Sequence, residues 1–393
     1  MRVPCVALSL TFVALSLIAS AQNPKSISQL GQFTAPDLYY QSYFGWSAAI
    51  AGDTVVVSAP SDEFYGGAFY VYEKPSSGWA TVAPTAELGY ECNTGARLAI
   101  SADGGTIAAL GSQCYGGLGF GATVISVWVR PASGWQSTWT PTAIIVNGNN
   151  QPNGSPCGNN FALSTDGKTL VCSDEFGWAK KNYLYFFDRP STGWASTTKP
   201  NLTVSISNPV NQISMNGNIL ALEDTGGQAL QVFQRTSNGL TQLANLTTSD
   251  GTHFGYGMAM DSQTIVVQGI IGNAGPGKVY VYSKPSSGWT NATETAQITA
   301  AASTSTGLQF GYSIAKSGNA LLVGGDPAAY MYFKPAAGWQ TTSQPNATIV
   351  STDPYQGDFG GGVAMQGTTL VIGDPLEGQN YNENGAAYIF TAK

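Results

Sequence analysis

The side chains able to do chemistry in this 393-residue chain are few and scattered. His253 is the single histidine, and it stands in a loop context between the Gly251 turn and Phe254. A lone imidazole here has no nucleophile or second base at a motif spacing, so general-base catalysis has no evident partner set. No Gly-x-Ser-x-Gly elbow, His-Glu-x-x-His pair or phosphate-cradling loop occurs. Folding is able to gather Asp62, Glu63, Asp174, Glu175 and Glu223. Such carboxylates would suit a glycosidic acid/base pair, but acids in loop stretches read first as solvated surface groups. The expectation is a protein that binds rather than turns over a substrate, with no cofactor.

Four cysteines lie beyond the N-terminal stretch: Cys92, Cys114, Cys157 and Cys172. An even number in a secreted chain points to disulfides. Nearest-neighbour pairing joins Cys92 to Cys114 and Cys157 to Cys172, closing a loop of 15 residues in the second case, worth ~3 kcal/mol; other pairings stay open. Asn201, Asn245, Asn291 and Asn346 each begin an Asn-x-Ser/Thr sequon. They are glycan acceptors if the chain passes through a eukaryotic secretory route. They read first as one strand position copied from repeat to repeat.

These residues are carried by a recurring turn. Lys74-Pro75-Ser76-Ser77-Gly78-Trp79 returns as Arg130 to Trp135, Arg189 to Trp194, Lys284 to Trp289 and Lys334 to Trp339, with a worn copy from Arg235 to Leu240. Successive copies are 56, 59, 46, 49 and 50 residues apart, a period belonging to propellers and solenoids. Each unit reads as four short strands. Strand A opens small, as in Phe44-Gly45-Trp46-Ser47-Ala48-Ala49. A turn such as Gly52-Asp53 or Asp166-Gly167 follows. Strand B is a continuous apolar run, as in Val55-Val56-Val57, and such a run is buried on both faces. Strand C is aromatic and β-branched, as in Phe69-Tyr70-Val71-Tyr72, and the Pro-x-x-Gly-Trp turn leads to strand D. Strand A copies starting at Phe44, Leu98, Phe161, Ile213, Phe254, Phe310 and Phe359 make seven units. The last stops after strand C, and Ile27 to Phe33 supplies its missing strand D. The fold expected is all-β, a seven-bladed propeller of four-stranded antiparallel blades, closed by the N-terminal strand completing the last blade. A tryptophan repeated once per blade reads as core between blades.

Residues 1–21 read as a signal peptide, with Arg2, an apolar run from Val6 to Ile18 and an Ala19-Ser20-Ala21 cleavage site. Residues 22–393 then form a single propeller domain. No later segment approaches the roughly 18 apolar residues that span a bilayer. Without Arg2 the chain holds 15 Lys and Arg against 23 Asp and Glu, which argues against nucleic acid as partner.

The Phe-Gly openings, the apolar runs and the Ser58-Ala59-Pro60, Gly325-Asp326-Pro327 and Gly373-Asp374-Pro375 ends resemble FG-GAP repeats. These build the propeller of integrin α chains and occur in bacterial secreted proteins. The resemblance covers the chain from residue 22 onward, through motifs in blades 1, 5, 6 and 7 and through position alone in blades 2, 3 and 4. Kelch repeats also space Tyr and Trp closely, but they want a Gly-Gly pair after the apolar run, which only Gly324-Gly325 supplies. Integrin-type repeats often bind calcium through several acids in the A–B turn. Here those turns carry at most one, Asp53, Asp103 or Asp166, so the resemblance implies the fold without the metal.

The resemblance also implies recognition at the face of the B–C and D–A loops. These vary in length and composition, as ligand-selecting loops on a rigid scaffold do. Asp62, Glu63, Tyr65, Tyr115, Trp178, Lys180, Lys181 and Tyr381 are the candidate binding residues, Trp178 being outside the repeat pattern. The expected function is a secreted or cell-surface binding or adhesion module for extracellular protein or glycan, acting as a monomer. A lectin and a polysaccharide-cleaving enzyme are the alternatives. Mass spectrometry of the secreted protein is expected to find Gln22 at the N-terminus; retention of Val6 to Ile18 would contradict the signal reading.

Overall fold

Period-two and continuous apolar stretches punctuated by Gly and Pro turns leave this chain one regular structure to form, and the computed structural model shows it. It describes residues 26–36, 38, 40–62, 66–90, 93–112, 123–146, 157, 160–173, 182–224, 226–270, 277–300, 310–325, 327–352, 357–378 and 383–392. Among them all repetitive structure is β, arranged as seven antiparallel sheets. The blades run A to D from the axis outward. Blade 1 comprises Ala48–Ala51, Thr54–Ala59, Ala68–Glu73 and Ala86–Gly89; blade 2, Asn93–Ile100, Thr106–Ser112, Val124–Val129 and Ala143–Ile145. Blade 3 comprises Phe161–Leu163, Thr169–Ser173, Asn182–Asp188 and Leu202–Ile206; blade 4, Val210–Asn216, Ile219–Asp224, Leu230–Thr236 and Gly239–Thr247. Blade 5 comprises His253–Met260, Thr264–Ile270, Lys278–Ser283 and Ala296–Ile298; blade 6, Ile314–Ser317, Ala320–Gly325, Ala328–Phe333 and Ala347–Val350. Blade 7 comprises Val363–Gln366, Thr369–Asp374, Ala386–Ala392 and the N-terminal Ile27–Phe33.

Ring closure is antiparallel pairing of Ile27–Phe33 with Ala386–Ala392, from Ile27 opposite Ala392 to Phe33 opposite Ala387. Phe33 is 1% exposed; its ring stands 4.5 Å from that of Tyr72 and 5.8 Å from that of Trp79, both in blade 1. The N-terminal strand therefore completes one blade and roofs the next.

The Phe-Gly opening has a packing reason. Phe44, Phe254, Phe310 and Phe359 are buried, each edge-on or tilted against an aromatic of its own strand C, as Phe44 is to Tyr70 at 5.6 Å and Phe310 to Tyr330 at 5.4 Å. Gly45 follows with φ of 97°, and a Cβ there would meet the Ala386 carbonyl oxygen of blade 7 at 2.2 Å. Glycine is thus required both for the turn and for blade contact. Strand register corrects the starting points taken for blades 2 to 4. Leu98, Phe161 and Ile213 align with Ala48, four residues beyond the Phe-Gly level. Counting back from Ala48 to Phe44, Thr94 and Cys157 take the phenylalanine position. Cys157 is buried and bonded to Cys172, so a disulfide replaces an aromatic contact. Cys92 and Cys114 lie outside the described residues.

The Pro-x-x-Gly-Trp turn is a tie between blades. In each good copy the glycine N–H donates to the proline carbonyl, as Gly78 does to Pro75 at 2.9 Å, and the glycine φ is positive. The tryptophans are at most 9% exposed and pack on strand D of the preceding blade, as Trp135 does with Ala86 and Leu88. Two residues after Trp, the side chain of Thr81, Ser137, Ser196, Asn291 or Thr341 accepts an N–H of that neighbouring strand D, at 2.8–3.2 Å. One residue further on, the backbone pairs in parallel with it: Val82 with Phe33, Thr138 with Leu88, Thr197 with Ile145, Ala292 with Leu246 and Thr342 with Ile298. In blade 4 this adds a fifth strand, Ala292–Thr293.

If the N-terminal strand closes the ring, Phe33→Ala should cost about 3–5 kcal/mol, as core phenylalanines do, while the more exposed Leu30→Ala should cost well under half of that. Urea unfolding measures both. A loose tail would leave the two variants alike and near the parent.

A polar cup at the mouth of the axial channel

Seven strands converging on an axis must present small side chains there, or the ring cannot close. At the level of Ser47 the seven residues by register are Ser47, Arg97, Asn160, Gln212, Gly257, Ser313 and Gly362. The short members leave room for one long cation. Arg97, half-buried, crosses to blade 4 and donates from Nη1 to Gln212 Oε1 at 2.8 Å. One residue nearer the D–A ends stand Trp46, Tyr256 and Tyr312, with Tyr256 56% exposed. One residue deeper come Ala48, Leu98, Phe161, Ile213, Met258, Ile314 and Val363. The result is a channel of 570 Å³, aromatic at the mouth, cationic in the next layer and apolar beneath. That volume falls in the range of small-ligand sites.

The electrostatics follow from the layering. Burial pushes the Arg97 guanidinium down from its ordinary value, while Tyr312 and Tyr256 act in the opposite direction. Tyr312 is raised by burial, with Arg97 opposing and the Asp358 carboxylate and Tyr256 assisting. Among the described residues Arg97 forms no ion pair. The cup therefore holds a partly desolvated guanidinium that no described carboxylate pairs.

Of the candidate binding residues, Asp62 is described, and it is 1% exposed. Its oxygens accept from Ser42 Oγ at 2.9 Å and from Tyr70 Oη at 2.5 Å. The same tie recurs between Tyr280 and Asp250 and between Tyr388 and Glu377, so a loop acid anchors strand C in blades 1, 5 and 7. Glu63, Tyr65, Tyr115, Trp178, Lys180, Lys181 and Tyr381 lie outside the described residues, as do Asp174 and Glu175. Glu223 is not the solvated acid expected. It is fully buried at the end of strand B of blade 4, with Asn211 Nδ2 at 3.4 Å from one oxygen and no described partner on the other. Burial pushes its carboxyl up to about 8, the Asn211 bond opposing and Asp224 assisting.

The sequons divide. Asn201 and Asn346 accept the N–H of Asp188 and Phe333 at the end of strand C, as Thr85, Thr142 and Thr295 do in blades 1, 2 and 5. The copied-position reading therefore fits those two. Asn291 belongs instead to the tie between blades.

Trp46, Arg97, Tyr256 and Tyr312 were not singled out from sequence. The signal was present: an aromatic directly after Phe-Gly in blades 1, 5 and 6, and one arginine inside a strand A.

The FG-GAP repeat profile matches residues 27–72 and 345–390. Each match begins in strand D of one blade and runs through strand C of the next, and the two meet at the ring closure. The chain is an FG-GAP repeat β-propeller. No curated protein matches it significantly. Among solved structures, a 6-phosphogluconolactonase candidate from Bacteroides uniformis is similar at 10% identity and a TM-score of 0.48, over 78% of this chain and 84% of that one. Hsv2 of Kluyvelomyces marxianus is similar at 12% identity and a TM-score of 0.47, over 77% and 83%.

The Glu223 shift fixes a pH dependence for this FG-GAP propeller. Between 4.5 and about 8 the folded state keeps a proton that the unfolded chain has released, so stability falls as pH rises through that window. Glu223→Gln should raise the melting temperature more at pH 8 than at pH 5. Equal changes at the two pH values would show that Glu223 does not titrate in this window.

Proposed function

We propose that this FG-GAP propeller is a secreted binding module that recognises extracellular protein or glycan at the face of its B–C and D–A connections, by recognition rather than turnover. The observation that carries the reading is the cup at the mouth of the channel. Trp46, Tyr256 and Tyr312 stand at the D–A ends of their strands, so the cup opens on that face. Tyr256 is exposed and Trp46 and Tyr312 are half-buried, and aromatics beside an arginine are the side chains that dominate binding energy at recognition sites.

Secretion is supported by the Cys157–Cys172 disulfide, since such bonds persist in oxidising compartments. Among the described residues no helix is long and apolar enough to cross a membrane. The opposite face carries the short A–B and Pro-x-x-Gly-Trp turns, whose residues are committed to holding blades together.

Immobilised protein should capture a defined component from native extracellular material. Tyr256→Ala should weaken capture about tenfold, the scale of a central aromatic contact. Ser76→Ala and Ser286→Ala, on the turn face, should leave it unchanged. Loss of capture from the serine variants alone would move the site to the other face and sink the proposal.

A further inference from the structure

The cup on which the binding reading rests has a definite chemistry. Among the described residues Arg97 is its one cation, and its guanidinium makes one hydrogen bond to protein, that to Gln212. A planar guanidinium offers five donors in a fork that matches a carboxylate. Among the described residues no carboxylate pairs with Arg97, although Asp358 acts on Tyr312 beside it. Three aromatic rings, Trp46, Tyr256 and Tyr312, stand one layer above it, and their faces suit the C–H faces of pyranose rings. At the level of Arg97 the rest of the wall is Ser47, Gln212, Ser313 and the glycines Gly257 and Gly362, polar groups above the apolar layer of Leu98, Phe161 and Ile213.

Topology and charge restrict the ligand further. Blades close the channel on every side, so a polymer does not lie across it; only a chain end or a side branch enters. The chain carries a net charge of −7, so a polyanion is repelled by the surface at large, while a single acid directed at Arg97 is not. We infer that the cup is a receptor site for one carboxylate-bearing terminal sugar, held by Arg97 at the acid and by Trp46, Tyr256 and Tyr312 on the ring. Acidic peptides share the carboxylate but offer no ring to these aromatics.

Titration calorimetry with 3′-sialyllactose and with cellobiouronic acid tests this, with lactose and cellobiose as uncharged partners. At least one acidic sugar should bind, at least about tenfold tighter than its neutral partner, the scale of one charge-assisted hydrogen bond. Arg97→Gln should abolish that preference, and Tyr256→Ala, at an exposed position that spares the fold, should weaken binding by a comparable factor. Trp139→Ala, an exposed aromatic away from the channel, should change nothing.

No binding of either acidic sugar overturns the inference. So does binding that is indifferent to Arg97→Gln, or Arg97-dependent binding of an Asp/Glu-rich peptide in place of the sugars. If the protein still captures extracellular material and Arg97→Gln does not alter that capture, the binding module stands and only the acidic-sugar site falls. If capture also fails, both fall.

Discussion

A sheet apolar on both faces is stable only between two others, and that requirement shapes this protein. Strands B and C are buried in nearly every blade: Val55, Val56, Val57, Tyr70, Val71 and Tyr72 have no exposure. The core is accordingly not inside blades but between them, one cluster joining Phe33, Ala387 and Ile389 of blade 7 with Val57, Tyr70 and Trp79 of blade 1. A single missing outer strand would expose two such surfaces. The outermost strand has only one partner within its blade, so it is the element most exposed to fraying. The Trp turn answers that weakness from the next blade, with a buried indole, a hydroxyl or amide acceptor and a short parallel pairing.

Two of the seven junctions lack this tie, each for a visible reason. Between blades 6 and 7 it cannot form, because strand D of blade 7 is the N-terminal strand and no C–D turn exists there. Between blades 3 and 4 the worn copy has lost its proline and tryptophan. Strands C and D of blade 4 are instead joined tightly between Thr236 and Gly239. Arg235 reaches back to Asp188 of blade 3 with two bonds, at 2.7 and 2.6 Å, and its guanidinium lies 4.7 Å from the Phe186 ring centroid. A bidentate, stacked arginine is the pairing for which lysine is no substitute. Its carboxylate stays partly exposed, so the pair contributes modestly and geometry matters more than charge.

Architecture was legible in sequence because each repeat had to solve the same packing problem with the same residues. The tryptophans, the apolar B runs and the need of the last blade for Ile27–Phe33 all have a periodic cause. Register in blades 2 to 4 was not legible by the same means. Thr94 and Cys157 hide the Phe-Gly level behind different side chains, and Phe161 imitates it four residues late. The acceptors two residues after Trp were overlooked because Ser, Thr and Asn look like ordinary turn composition until their partners, 44 to 52 residues distant, are known. Asp62 and Glu223 were misjudged for a related reason. Whether a loop acid is solvated depends on which tyrosine or asparagine folding sets against it, and neither contact is local.

The cup escaped the sequence because it is made of departures from the repeat rather than of the repeat itself. Seven identical inner strands would line the axis with seven identical small residues, and such a channel could select nothing. Ring closure limits the total bulk at each level, not the bulk at each position. Glycine at 257 and 362 and serine at 47 and 313 are thus what allow an arginine at 97 and a glutamine at 212. The same economy places Trp46, Tyr256 and Tyr312 in blades 1, 5 and 6 while blade 7 offers Gly361 at that level. Structural constraint therefore sets one ring of residues, where each large side chain is tolerated because its neighbours are small.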